Sequence, residues 1–145
     1  MYPHITVEEH PTHEDISFLE NRIIEYNYTA VGASDGRGLA AFVHDERGEI
    51  IAGISGYTWA GMAELEFLWV HESLRGQGIG AQLLAAVEEE ARSRGCTLSI
   101  VSSYSFQAPG FYQKNGYQVV GSMTGCPPGH TSYWMRKDLA PLTPD

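Results

Sequence analysis

The residues in this chain best suited to chemistry are a glycine loop and two nearby carboxylates. The loop, Arg75-Gly76-Gln77-Gly78-Ile79-Gly80-Ala81, follows the apolar run Leu65 to Val70 and opens an amphipathic segment. A glycine turn between a strand and a helix start leaves backbone N–H groups unpaired, at the positive end of the helix dipole. That arrangement receives a phosphate or pyrophosphate, and the Arg75 guanidinium suits phosphate oxygens. Glu64 and Glu66 stand just upstream. Strict strand alternation puts both on the side opposite Leu65 and Phe67, where a carboxylate can take a proton or hold a cation.

The loop's own residues narrow the ligand. A nucleotide-hydrolase P-loop ends in Gly-Lys-Ser/Thr, because the lysine reaches the terminal phosphates and the hydroxyl holds magnesium. Here the ending is Gly80-Ala81-Gln82. A dinucleotide site places its glycines in the first βα turn and needs an acid about 20 residues on for the ribose. The strand after this helix, Thr97 to Ser103, has none.

The elements that must position these groups follow from periodicity. Ile5 to Glu8 alternates as an opening strand, and Thr12 caps a helix whose Ile16, Leu19, Ile23 and Ile24 share one face. Leu39 to His44 and Ile50 to Trp59 flank Asp45-Glu46-Arg47-Gly48 as a hairpin, and Ala63 to Val70 is a third antiparallel strand. Ile79, Leu83, Val87 and Ala91 predict a helix buried along one stripe, with Glu88, Glu89, Arg92 and Arg94 outward. Strand, loop, helix and strand in succession make a βαβ crossover with parallel strands. A short helix over Gln107 to Asn115 and strands over Tyr117 to Met123 and Ser132 to Arg136 complete the chain. The fold class is α/β (α+β): a mixed, mostly antiparallel sheet of about seven strands flanked by helices. One domain is expected over residues 1–145, with 138–145 a loose tail.

This order resembles the GNAT acetyltransferase fold, and two motifs carry the resemblance. Arg75, Gly78 and Gly80 fit the family's acetyl-CoA pattern Arg/Gln-x-x-Gly-x-Gly/Ala. Ala108, Tyr112, Gly116 and Tyr117 fit its Ala-x-x-x-Tyr-x-x-x-Gly-Phe/Tyr segment, while Ser105 stands where many members have Asn. The resemblance implies a splayed central parallel pair whose bulged strand offers the backbone of Leu68, Trp69 and Val70 to pantetheine. It implies that Arg75, Gly76, Gln77, Gly78, Ile79, Gly80 and Ala81 take the pyrophosphate, with Ser105, Ala108 and Tyr112 also contacting CoA. Acetyl-CoA is then the cosubstrate, with Val70 N–H polarising the thioester oxygen and Tyr112 as general acid.

An alkyl ammonium, with a pKa near 10, must lose a proton before it can attack. Glu66 and Glu64 are the candidate bases. A phenol stays protonated at neutral pH and can donate to a thiolate of pKa about 8.5, the task assigned to Tyr112. Tyr26, Tyr28, Trp59 and Glu66 are candidate contacts for a cationic acceptor. The formal net charge of −9 disfavours nucleic acid and favours an amine. The six histidines and two cysteines show no zinc spacing, so no metal is expected. No apolar run spans a bilayer and no secretory signal opens the chain, which points to a cytoplasmic protein without a membrane partner. The expected activity is direct acetyl transfer to a primary amine of a small cation, an aminoglycoside antibiotic or polyamine, in the manner of antibiotic resistance. Protein amines or a non-catalytic acyl-CoA sensor are the alternatives, and a homodimer through Tyr133 and Trp134 is possible.

Overall fold

The computed structural model describes residues 3–141 and divides into two compact units, Met1–Ser34 and Asp35–Asp145. The first unit is built on α1 (His13–Val31). Thr12 Oγ1 accepts the Asp15 N–H at 3.1 Å, and Gly32, at φ 77°, closes the helix by donating to the Tyr28 carbonyl at 2.8 Å. Residues 3–8 are irregular, so the expected strand over Ile5 to Glu8 is absent. The alternation is there, but a strand needs a partner ladder, and the described residues of the first unit hold no other strand.

The second unit is a mixed sheet flanked by helices. Its elements are β1 (Arg37–His44), β2 (Ile50–Trp59), β3 (Met62–Val70), α2 (Ile79–Ser93), β4 (Leu98–Tyr104), α3 (Pro109–Lys114), β5 (Gln118–Thr124) and β6 (Thr131–Asp138). Among the described residues six strands, rather than about seven, lie in the order β1-β2-β3-β4-β6-β5. All neighbours are antiparallel except β3 and β4, the central parallel pair. α2 lays Leu83, Leu84, Val87 and Ala91 against Leu39, Ile54, Leu65 and Val101 of the sheet, as its four-residue repeat predicts.

Two expectations change here. Glu88 is buried rather than outward, because it has polar partners on β6 and beside α3. The tail begins later than residue 138: Asp138 ends β6, and Leu139 is buried with its N–H on the Thr97 carbonyl. Residues 142–145 of the expected tail lie outside the described residues. No described helix is long and apolar enough to cross a membrane.

Candidate active site

The central pair does not stay paired. β3 and β4 are in register only from Met62 opposite Leu98 to Leu65 opposite Val101. Beyond that point β3 follows β2 alone, and β4 follows β6. The cause is in the β2–β3 register: Ser55 faces Phe67 but Gly56 faces Leu65, so Glu66 is an extra residue, a β-bulge. Gly56 makes this possible, since a Cβ there would sit 2.0 Å from the Glu64 carbonyl oxygen.

The bulge overturns the simple alternation. Leu65 and then Leu68 and Val70 pack on the core, while Phe67 and Trp69 are exposed. Phe67 thus joins the face of Glu64, and Glu66, the extra residue, lines the gap between the splayed strands. The His71 N–H donates to the Ile51 carbonyl at 2.9 Å, which fixes the ladder's phase. With a period of two, Phe67 and Trp69 turn their backbone groups to β2, and Leu68 and Val70 turn theirs into the gap. Of the three residues expected to offer backbone groups, Leu68 and Val70 are so placed. Trp69 lines the gap without that backbone orientation.

The gap opens into a cavity of about 1010 Å³ lined by β3 from Glu66 to Val70, the glycine loop, the end of β4 and α3. Gly78 caps α2 at φ 81°, a conformation only glycine adopts freely, and no side chain caps this helix. The first intrahelical bond runs from the Gln82 N–H to the Gly78 carbonyl at 3.1 Å, leaving the preceding amides as donors facing the cavity's mouth. Arg75 donates from Nε to the Val70 carbonyl at 2.9 Å, tying the loop to the strand, and keeps further guanidinium donors. This donor set, beside β3 backbone that β4 no longer pairs, fits a pyrophosphate with an amide-bearing arm.

Tyr112 lines the cavity from α3 and is buried, and burial raises its phenol pKa. Among the described residues its hydroxyl has no hydrogen-bond partner, and no sealed side-chain polar atom is left unpaired. The hydroxyl therefore reaches open space in the cavity. Glu66, Tyr112 and the loop share one lining; Arg75, Gly76, Gly78, Ile79, Gly80, Ala81 and Ala108 lie there too.

Other candidates within the second unit fall outside that lining. Glu64 accepts a hydrogen bond from the Tyr57 hydroxyl, its cross-strand partner. Ser105 accepts the Thr131 N–H at 3.0 Å, and Gln77 donates to the Ser73 carbonyl at 3.2 Å. Trp59 pairs with Met62 at the hairpin turn, the end of β3 away from the loop. Tyr26 and Tyr28 lie on α1 in the first unit. Sequence reasoning missed Ser102, Ser103, Phe106, Gln107, Phe111 and Asn115 as lining residues. Serines ending an otherwise apolar strand were the available signal for the first two. Among the described residues no cluster of His, Cys, Asp and Glu could hold a metal.

The Tyr57–Glu64 pair makes a pH prediction. Desolvation by burial, then the Glu64 hydrogen bond and charge, then the Glu66 charge, push the Tyr57 phenol up to about 12. A raised folded pKa gives stability that is whole below the unfolded value of about 10 and is lost as pH climbs toward 12. Urea unfolding from pH 9 to 12 should show a steeper decline in wild type than in Tyr57→Phe. Equal slopes would mean that folding does not raise the Tyr57 pKa, by burial or by the carboxylates.

Residues 2–117 match the model of the Acetyltransferase (GNAT) family. The chain belongs to the GNAT acetyltransferase family. Its relatives and structural neighbours agree with that placement. It is 41% identical to the blasticidin-S acetyltransferase of Streptomyces morookaense over 101 residues, covering 69% of this chain and 74% of that one. It is 32% identical to an acetyltransferase of Agrobacterium fabrum over 119 residues, 82% of this chain and 87% of the other. A crystal structure of an Agrobacterium tumefaciens acetyltransferase superposes with a TM-score of 0.86 at 29% identity, over 94% of this chain and 99% of that one. GNAT acetyltransferases use acetyl-CoA, and this chain is an acyltransferase of that type.

Proposed function

We propose that this acetyltransferase moves acetyl directly from acetyl-CoA to a primary amine of a small cationic molecule, in the manner of antibiotic-modifying enzymes. The observation that carries the reading is the bulge. It supports the reading because Glu66, the extra residue, lines the same cavity as Tyr112 and the glycine loop, where β3 and β4 no longer pair.

In this reading the loop amides and Arg75 hold the pyrophosphate, and the Leu68 and Val70 backbone groups hold the pantetheine amides. The Val70 N–H polarises the thioester oxygen. Glu66 takes the ammonium proton, the amine nitrogen bonds to the acetyl carbon, and the C–S bond breaks. Tyr112 gives its proton to the departing sulfur and recovers one from the acylated nitrogen, which still carries an extra N–H. Glu66 passes its proton to solvent, so thiol and amide both leave neutral. Glu64, engaged by Tyr57, adds negative charge near the amine rather than taking its proton. The acidic chain favours a cation. The similarity to a blasticidin-S acetyltransferase supports an antibiotic amine.

Thiol release from acetyl-CoA should be measured with blasticidin-S, aminoglycosides, polyamines and a lysine peptide. Turnover should favour one of the small cations, and Glu66→Gln should lower kcat/KM for the amine by about 10²-fold with little change in the KM for acetyl-CoA. Preference for the peptide would overturn the small-molecule reading. Tight CoA binding without thiol release from any amine would overturn catalysis.

A further inference from the structure

Behind Tyr112 lies a buried polar assembly that the transfer reaction does not itself use. Glu88 on α2 is 5% exposed, and both its carboxylate oxygens are engaged. Oε2 accepts the Tyr117 hydroxyl at 2.8 Å, and Oε1 accepts Lys137 Nζ from β6 at 3.0 Å. The Tyr117 hydroxyl also shares a 2.7 Å hydrogen bond with Ser99 Oγ on β4. Lys137 Nζ lies 5.8 Å from the Tyr117 ring centroid. A buried acid paired with a half-buried lysine is expensive to desolvate, and apolar replacements often match the stability of such pairs, so stability alone does not account for it.

What the assembly holds is Tyr117, and Tyr117 holds Tyr112. The two rings meet edge to face with centroids 5.6 Å apart, and the Tyr117 N–H donates to the Tyr112 carbonyl at 3.0 Å. Tyr117 is thereby fixed at its backbone on Tyr112 and at its hydroxyl on Glu88. Tyr112 needs such support, because α3 has six residues and no side-chain cap. So short a helix has little stability of its own.

We propose that Glu88, Tyr117 and Lys137 are positioning residues that lock the Tyr112 ring with its hydroxyl directed into the cavity. The proposal rests on Tyr112 being the proton donor. An acid held loosely samples poor geometries, and small misplacements at a reacting centre cost rate rather than binding.

The test is a double-mutant cycle. Tyr117→Phe keeps the ring and the backbone bond and removes only the hydroxyl. It should lower kcat about tenfold, with the KM values for acetyl-CoA and amine within about twofold. Placed on Tyr112→Phe, it should cost nothing more, since the group it positions is gone. Lys137→Met should show the same kcat-only loss and Lys137→Arg should recover most of it, which covers the case in which Tyr117→Phe fails to fold. Normal kcat in both Tyr117→Phe and Lys137→Met, with Tyr112→Phe impaired, overturns the positioning role alone. A full tenfold loss in the double mutant, beyond that of Tyr112→Phe, overturns it too. Normal kcat in Tyr112→Phe overturns the proton-donor reading and this proposal together.

Discussion

Tyr112→Phe is expected to lower kcat by about 10² to 10³-fold while leaving the KM for acetyl-CoA within about twofold. The ring is 7% exposed and packs edge to face on Phe111 and Tyr117, and phenylalanine keeps that packing. The hydroxyl has no hydrogen-bond partner among the described residues, so removing it strands no buried group. Stability should therefore hold, and the loss should fall on the step in which sulfur leaves. Burial raises the Tyr112 pKa, so the phenol remains protonated across the working range. The alkaline side of the wild-type kcat profile should accordingly stay flat up to about pH 10, the ordinary phenol value. Steady-state thiol release checks both statements, and a Tyr112→Phe enzyme with wild-type kcat would remove Tyr112 from proton transfer.

The residues that the ligand's backbone demands were the most legible in sequence. Glycines at Gly78 and Gly80 beside Arg75 announce an anion loop, because few other residue types can build that turn. The four-residue repeat of α2 also survives folding, since a long amphipathic stripe has one way to bury itself. The bulge at Glu66 was less legible. Alternation is read from side-chain type, and one extra residue reverses every later face without changing the composition. It gave Glu64 and Glu66 the same surroundings, whereas only Glu64 is hydrogen-bonded to Tyr57 and only Glu66 lines the cavity, although the charges of both act on Tyr57. Glu88 was misread for a related reason. Its partners, Tyr117 and Lys137, lie 29 and 49 residues away, and no local pattern reports contacts across that span. Ser105 looked like a cofactor contact from its place near the tyrosine motif. Just past the last β4–β6 pair, Tyr104 opposite Ser132, two further hydrogen bonds tie Ser105 to Thr131.

Gly56→Ala is expected to be the most damaging single-methyl change in the sheet, lowering stability by about 3 kcal/mol and abolishing most turnover. Its Cβ would stand 2.0 Å from the Glu64 carbonyl oxygen and 2.9 Å from the Glu64 carbonyl carbon and Leu65 Cα. These are backbone atoms of the adjacent strand, so no rotamer relieves the clash. Either β2 and β3 separate at the bulge, or the bulge is lost and the register slips. A slip by one residue would return Leu68 and Val70 to the face now held by Phe67 and Trp69 and withdraw Glu66 from the cavity. Both outcomes disturb the splay, so CoA binding should weaken together with kcat. Gly53 supplies the contrast. A Cβ there meets the Phe42 ring at 2.7 Å, and a side chain can turn aside. Gly53→Ala should therefore cost less stability and keep acetyl-CoA affinity. Denaturant unfolding and calorimetric CoA binding on the two variants separate these cases. A Gly56→Ala protein with wild-type stability and affinity would mean that the bulge does not depend on the close backbone approach at Gly56.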